Sequence, residues 1–178
     1  MPSCCIVVMG VSGCGKSTVG VQLARALGAD YIEGDDFHPP RNVALMAAGT
    51  PLTDADRAGW LQSLAQRLKA AHSAGRSIVL SCSALKRSYR DVLRRGAPDL
   101  VFVHLQGSQA LLAERMATRV HRYMPSSLLA SQLATLEPPG PDEAAITVNA
   151  AEPVDQIVSL ALKGLARITQ GHGVNPKV

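Results

Sequence analysis

A glycine-rich stretch near the start of the chain has the composition and spacing of a phosphate-binding loop. It runs Gly10, Val11, Ser12, Gly13, Cys14, Gly15, Lys16, Ser17 and matches the pattern Gly, any four residues, Gly-Lys-Ser. Glycines let the backbone curl so that successive N–H groups point at phosphate oxygens. A helix that starts near Lys16, with Thr18 in its first turn, adds its positive end. Residues 10–18 therefore predict a nucleoside triphosphate site, named here the phosphate loop.

Two side chains of the phosphate loop have distinct expected roles. Lys16 can span the outer phosphates as a point charge, and the Ser17 hydroxyl is the expected Mg²⁺ ligand. A glycine-rich surface turn with an incidental lysine has the same letters. However, an apolar run at residues 4–9 precedes the loop and a helical stretch at residues 19–27 follows it. This strand–loop–helix order favours the nucleotide site.

A second group of chemically capable residues follows the next apolar segment. The run Glu33-Gly34-Asp35-Asp36-Phe37-His38 comes directly after an expected strand at residues 30–33. Composition alone would fit a solvated acidic turn before Pro39. At the carboxyl end of a parallel strand, however, these carboxylates would face the phosphate loop, where phosphoryl transfer needs a general base or a magnesium partner.

The elements that must position these residues alternate along the chain. Apolar runs predict strands at residues 4–9, 30–33, 77–81, 100–105 and 145–148. Between them, residues 54–74 place Leu61, Leu64, Leu68 and Ala71 on one helical face, and Thr53 with Asp56 forms a cap. Residues 154–168 follow the same period. The predicted fold is α/β, a parallel five-stranded sheet with helices on both faces.

Composition limits the class of protein. The chain has 178 residues, 47% hydrophobic and 18% charged, which fits one globular domain at residues 1–170. The net charge of +4 comes from dispersed basic residues, so an anionic small molecule explains it without nucleic acid. The four cysteines form no metal or disulfide pattern, and neither a signal peptide nor a membrane span is visible. We expect a cytoplasmic protein with a frayed tail at residues 171–178, and greater mobility at residues 33–53 and 119–141.

Other users of a phosphate loop leave marks that this sequence lacks. An Asn-Lys-x-Asp motif, which reads the base in switch GTPases, does not occur. Asp56-Arg57-Ala58-Gly59 has the letters Asp-x-x-Gly but lies in a helical stretch. Motor ATPases carry a strand that ends in an acidic residue, whereas the expected strands here end in Ser81 and Leu105. These differences favour a kinase.

The longer motifs resemble the bacterial gluconate kinases. They are Gly34-Asp35-x-x-His38-Pro39, Asp54-x-Asp56-Arg57-x-x-Trp60-Leu61, Cys82-Ser83-Ala84-Leu85-Lys86-x-x-Tyr89-Arg90, Arg115-x-x-x-Arg119 and Ser131-Gln132-x-x-x-Leu136-Glu137. With the phosphate loop, they span nearly all of residues 5–161. The resemblance implies ATP- and Mg²⁺-dependent phosphorylation of D-gluconate to 6-phospho-D-gluconate. It also implies a nucleoside-monophosphate-kinase-like fold with a mobile lid at about residues 119–141, in a cytoplasmic homodimer.

The resemblance also implies roles for particular residues. Asp35 would accept or orient the proton of the 6-hydroxyl, and Arg119 in the lid would reach the transferring phosphoryl group. Arg115 would bind ATP. The substrate would be held by Asp35 together with His38, Arg57, Lys86 and Arg90, because a sugar acid needs cationic and hydrogen-bonding groups.

Plainer interpretations of these residues remain open. Arg57 could form a surface ion pair with its acidic neighbours, and His38 could be a turn residue. Lys86, Arg87 and Arg90 could be the basic outer face of a helix, and Arg87 is assigned to solvent.

The sequence departs from the family pattern in two places. Where the family commonly has Gly-His-Phe-Met-Pro, this chain has His121-Arg122-Tyr123-Met124-Pro125, so lid closure is expected to be less free without the glycine. Cys14 replaces a small polar residue. Two alternatives remain: a shikimate-kinase-like enzyme, although no Gly-Gly-Gly loop is present, and a nucleotide-binding regulatory protein, which only the basic balance supports.

Overall fold

Five parallel strands form a single sheet at the centre of the computed structural model, which describes residues 3–118, 125 and 127–171. The strands are β1 (Cys5–Met9), β2 (Asp30–Glu33), β3 (Ile78–Ser81), β4 (Val101–Gln106) and β5 (Ala145–Asn149). Their order across the sheet is β2-β3-β1-β4-β5, with every neighbouring pair parallel. The strand that leads into the phosphate loop is therefore the central one, and both edges of the sheet lie two strands away.

Seven α-helices and one short 3₁₀-helix surround this sheet in the described residues. They are α1 (Lys16–Leu27), α2 (Pro40–Ala47), α3 (Asp54–Ser73), α4 (Arg87–Arg94), α5 (Gln109–Ala117), α6 (Ser127–Thr135), α7 (Val154–Gly171) and the 3₁₀-helix Gly34–Phe37. All five residues of β1 are buried. Because side chains alternate between the two faces of a strand, the sheet must be covered on both. In the described part of the chain no helix is long and apolar enough to cross a bilayer.

The sequence-based prediction of the sheet is confirmed. Each predicted strand lies within one residue of the observed one at either end. The predicted cap of α3 is also present: Thr53 Oγ1 accepts the N–H of Asp56 at 3.1 Å, and the Asp56 carboxylate accepts the N–H of Thr53 at 2.9 Å. The four residues predicted on one face of α3 are all buried, so this helix is fixed from both its start and its core side.

Two stretches differ from expectation. Residues 33–53, expected to be mobile, contain the 3₁₀-helix and α2. Pro40 begins α2, a position where the missing N–H of proline costs nothing. Gly171, assigned to the tail, ends α7, and residues 172–178 lie outside the described part. Within the predicted lid, α6 is described, but residues 119–124, which include Arg119 and the departures at His121 and Arg122, are not.

Candidate functional site

The phosphate loop joins β1 to α1 and has the backbone that its glycines predict. Gly10, Gly13 and Gly15 have φ values of 146°, 86° and 96°, a region that disfavours other residues. A Cβ on Gly10 would also lie 2.8 Å from the carbonyl oxygen of Leu105. The Lys16 ammonium group donates to the carbonyl of Val11 at 3.2 Å and so lies across the loop.

Ser17 contacts an acidic residue that was not assigned from the sequence. Its hydroxyl donates to the Glu33 carboxylate at the end of β2, and the Tyr31 hydroxyl lies 2.9 Å from the same carboxylate oxygen. Tyr31 also lies 2.9 Å from Ser81 Oγ, which donates to the Lys16 carbonyl at 3.0 Å. A hydroxyl and a carboxylate beside bound phosphates are the oxygen ligands that Mg²⁺ prefers, and substrate phosphates usually complete its shell. The signal for Glu33 was its position at the end of a strand facing the loop.

The turn after β2 passes very close to the end of β3. A Cβ on Gly34 would lie 2.3 Å from the carbonyl oxygen of Ser81, so only glycine fits there. The indole N–H of Trp60 donates to the Gly34 carbonyl at 2.8 Å and fixes the turn from the side of α3. Asp35 follows directly, with its side chain 25% exposed. The close crossing thus brings Asp35 to the carboxyl ends of the strands, where the phosphate loop also lies.

Cys82, the residue after β3, is a buried thiol near these charged groups. Burial raises the pKa of its thiol to about 12; the carboxylates of Asp35 and Glu33 raise it as well, and Lys16 lowers it. These effects require all three charged side chains to lie within electrostatic range of one buried atom. The Ser17–Glu33 hydrogen bond and the close approach of the turn after β2 to the end of β3 place Lys16 near Glu33 and Asp35, so that two separate segments of the chain meet here.

His38 lies beside Asp35 as a neutral side chain. Its ring stacks on Trp60 with the centroids 4.0 Å apart, and burial, with the charge of Arg57, lowers its pKa to about 4. The Asn42 amide nitrogen donates to the Asp56 carbonyl at 2.8 Å and lies 3.4 Å from His38 Nδ1. Because that nitrogen can only donate, Nδ1 accepts and the proton is on Nε2. Nε2 lies 3.9 Å from Asp35 Oδ1, so it offers a donor next to the carboxylate.

Arg57 and Lys86 converge on one tyrosine. The guanidinium of Arg57 donates to the Leu52 carbonyl at 2.7 Å and to the Tyr89 hydroxyl at 3.0 Å. Lys86 Nζ lies 5.7 Å from the centre of the Tyr89 ring and donates to the Asp54 carboxylate at 3.0 Å. Tyr89 donates its own proton to Asp54. Arg57, Lys86 and Tyr89 lie at the starts of α3 and α4 and are named here the cationic cluster; Arg57 and Lys86 are partly exposed. The sequence motif contained Tyr89, but its type alone gave it no role.

The expectation that Arg90 binds substrate directly is wrong. Its side chain is 0% exposed and forms two hydrogen bonds with Glu143, at 2.8 and 2.9 Å. A further nitrogen donates to the Ala84 carbonyl at 2.9 Å. The side chain therefore faces the interior and not the cationic cluster. Arg87, assigned to solvent, is half exposed and forms an ion pair with Asp142, which confirms that assignment.

The other edge of the sheet carries an open cleft. It has a volume of about 640 Å³, lies at the carboxyl ends of β4 and β5, and is lined by Gln106, Gly107, Ser108, Leu111, Thr147, Asn149 and Ala151. Arg115 on α5 donates to the Ala150 carbonyl at 2.8 Å, next to this lining. Closer to the centre, Gln132 on α6 accepts the N–H of Ser12 in the phosphate loop at 2.7 Å. Arg119 lies outside the described residues.

No group of three or more His, Cys, Asp or Glu side chains in the described residues could hold a metal by itself. A magnesium ion usually takes only one or two protein oxygens and completes its shell from phosphates and water. Ser17 and Glu33 fit that requirement.

Comparison with known proteins gives a consistent result. The model of a family described as an AAA domain matches residues 5–139. The gluconokinase of Gluconobacter oxydans is 51% identical over 86% of both chains. The crystal structure of a gluconokinase from Sinorhizobium meliloti superimposes with a TM-score of 0.86 at 51% identity over 94% of both chains. By contrast, the shikimate kinase of Aquifex aeolicus is 16% identical with a TM-score of 0.57, which is a likeness of fold alone. The chain belongs to the gluconokinase family of P-loop kinases.

Proposed function

We propose that this protein transfers the γ-phosphoryl group of ATP to the 6-hydroxyl of D-gluconate and so forms 6-phospho-D-gluconate. The observation that carries the proposal is the hydrogen bond from Ser17 in the phosphate loop to Glu33, which places the turn with Asp35 beside Lys16. The cationic cluster lies at the starts of α3 and α4. Family membership supports the choice of a sugar acid as acceptor.

We propose that the two substrates occupy different halves of the site, divided by the central strand β1. The triphosphate would lie in the loop after the central strand β1, because backbone N–H groups and the start of α1 face it there. The nucleoside would extend toward β4 and β5, where the cleft and Arg115 lie. This leaves the β2 and β3 side, with Asp35, for the acceptor.

The acceptor would bind between the cationic cluster and Asp35. Its carboxylate would pair with Arg57 and Lys86, the two cations that meet at Tyr89. The Nε2–H of His38 would donate to a hydroxyl, since a neutral imidazole can orient a sugar without repelling its other donors. The 6-hydroxyl would then lie at Asp35, which accepts or orients its proton.

The chemistry requires positioning and charge neutralisation more than covalent work from the protein. Lys16 would stabilise charge on the β- and γ-phosphates. Mg²⁺, held through Ser17 and Glu33, would supply further positive charge to the phosphate oxygens. We retain Arg119 from the family resemblance as the residue that reaches the transferring phosphoryl group. The resemblance likewise supports a cytoplasmic homodimer, and all four cysteines are free thiols, as a reducing compartment would require.

Truncation of the Arg57 or Lys86 side chain should raise the KM for gluconate and leave the KM for ATP nearly unchanged. We expect Arg57→Ala and Lys86→Ala each to raise the KM for gluconate about ten- to a hundred-fold, because a lost charge-assisted hydrogen bond costs about 1.5–3 kcal/mol. The KM for ATP should change by less than about two-fold. Steady-state kinetics with each substrate varied in turn measures both values.

Arg87→Ala is the matched control for this pair, since Arg87 is adjacent in sequence but half exposed. It should shift either KM by less than about two-fold, as exposed substitutions usually cost within about 0.5 kcal/mol. If Arg57→Ala, Lys86→Ala and Arg87→Ala change the KM for gluconate equally, the cationic cluster does not bind the acceptor.

Replacement of Glu33 should alter the response to magnesium. Glu33→Gln keeps the shape but removes the negative charge beside Ser17, so we expect a several-fold higher Mg²⁺ concentration for half-maximal rate. Titration of activity with Mg²⁺ at fixed ATP gives that value. Glu152→Gln, a substitution outside this network, serves as the control, and an unchanged titration curve in Glu33→Gln would exclude the assignment.

A comparison of acceptors tests the proposed function itself. ADP release coupled to a spectroscopic readout should be stimulated by D-gluconate far more than by shikimate, other sugar acids or DNA. A preference for shikimate would favour the shikimate-kinase-like alternative. Stimulation by DNA, with no effect of any sugar acid, would favour a nucleic-acid-linked regulatory protein.

A further inference from the structure

The Arg90–Glu143 pair is buried far more deeply than a surface ion pair. The Arg90 side chain is 0% exposed and that of Glu143 is 2% exposed. Hydrogen bonding by Arg90 and Arg94 overcomes the effect of burial and lowers the pKa of Glu143 to about 2, so the carboxylate is charged at neutral pH. Removing two charges from water is costly, and such pairs often stabilise a protein no more than packed apolar residues would. Stability alone therefore does not explain why this pair is buried, and the other contacts of Arg90 indicate a second role.

The third guanidinium nitrogen of Arg90 contacts a loop of unusual backbone conformation. This atom, Nη1, donates to the carbonyl of Ala84 at 2.9 Å and lies 3.3 Å from that of Leu85. Ala84 has φ 45° and is the one non-glycine residue with positive φ in the described part of the chain. An alanine in this region is strained, so surrounding contacts must hold it there. Residues 82–86, named here the acceptor loop, end in Lys86 of the cationic cluster.

A second segment holds the same loop from the opposite direction. The Glu137 N–H donates to the Leu85 carbonyl at 2.8 Å, and the Glu137 carboxylate accepts the N–H of Arg87 at 2.8 Å. Glu143, in the same stretch between α6 and β5, also accepts the N–H of Gly140 at 2.9 Å. The stretch between α6 and β5 thus holds the acceptor loop at two points. The Glu137 N–H binds the Leu85 carbonyl directly, and the Glu143 carboxylate binds Arg90, which in turn binds the Ala84 carbonyl.

We propose that Arg90 and Glu143 are positioning residues for the acceptor: they hold the acceptor loop so that Lys86 faces the sugar acid, without touching it themselves. The proposal rests on the function given above for the same site. Arg90 Nη1 contacts the carbonyls two and one residues before Lys86, and Glu143 binds the other two nitrogens of the same guanidinium. Loss of either partner would leave the loop free to relax from its strained conformation, and Lys86 would no longer be held in the cationic cluster.

The test compares Arg90→Lys and Glu143→Gln with Arg94→Lys. Arg94 also pairs with Glu143, and it lies 4.9 Å from the Phe102 ring, but no described contact joins its side chain to the acceptor loop. Each protein is examined by hydrogen exchange of the peptide that covers residues 82–86, by thermal unfolding, and by steady-state kinetics. We expect Arg90→Lys to accelerate exchange in that peptide and to raise the KM for gluconate by at least about ten-fold, with the KM for ATP within about two-fold.

The control separates positioning from stability. Arg94→Lys should lower the melting temperature to a comparable degree but leave both exchange in the acceptor loop and the ratio of the two KM values unchanged. Equal exchange of residues 82–86 in wild type, Arg90→Lys and Glu143→Gln would overturn the proposal, as would the same KM ratio in Arg90→Lys and Arg94→Lys. If wild type does not phosphorylate gluconate, the proposed function fails, while the exchange data still decide the positioning role. Should Arg90→Lys not fold, Glu143→Gln carries the same measurements.

Discussion

Lys16→Ala is expected to abolish turnover while leaving the protein folded. The ammonium group lies across the phosphate loop on the Val11 carbonyl and is not part of the core, so its loss should change thermal stability little. In the transition state it would stabilise charge on the phosphates, and removal of one preorganised donor costs about 10²–10³-fold in kcat. Steady-state kinetics together with circular dichroism measures both effects.

Lys69→Ala is the matched control for this variant, because Lys69 is an exposed lysine on α3. It should retain wild-type rates. Near-normal activity in a correctly folded Lys16→Ala protein would contradict the assignment of the phosphate loop as the ATP site.

Asp35→Asn should lower kcat by about 10²–10⁴-fold with a much smaller change in ATP affinity. The amide keeps the shape of the side chain but removes the proton acceptor and its charge, which matter only when the acceptor hydroxyl reacts. Single-turnover rates at saturating substrates, with ATP affinity measured separately by titration, distinguish the two effects.

The neighbouring carboxylate gives the control. Asp36 lies in the same 3₁₀-helix but is exposed, so Asp36→Asn should behave as wild type. A collapse of ATP affinity in Asp35→Asn with an unchanged rate at saturation would make Asp35 a metal or structural residue instead.

The sheet could be predicted well because its signals are local. Five short segments with apolar residues at their centres predicted strand limits within one residue, and the cap of α3 was predictable from Thr53 and Asp56. The start of α2 was not, because Pro39-Pro40 has the composition of a turn. In the structure Pro39 caps the helix and Pro40 is its first residue.

Candidate residues could be proposed where a motif or a strand end marked them. Lys16 and Ser17 stand in the phosphate-loop motif, and Asp35 follows the end of β2. The buried role of Arg90 could not be predicted in this way: in sequence it resembles Lys86 and Arg87, and its buried partner Glu143 lies 53 residues away. The role of Gln132 likewise depends on a contact with Ser12 across 120 residues, which no periodicity reveals. Burial of a charge is a property of tertiary packing, so sequence alone could not separate Arg90 from its exposed neighbours.

The central claim is that one site transfers phosphate from ATP to the 6-oxygen of gluconate. Phosphorus NMR of a reaction of wild-type protein with ATP, Mg²⁺ and D-gluconate tests it directly, because the product signal reports both donor and position. We predict loss of the γ-phosphate signal, stoichiometric ADP, and a new phosphomonoester coupled to the two protons on C6. Inorganic phosphate as the only new species, or an ester coupled to a proton on another carbon, would contradict the account.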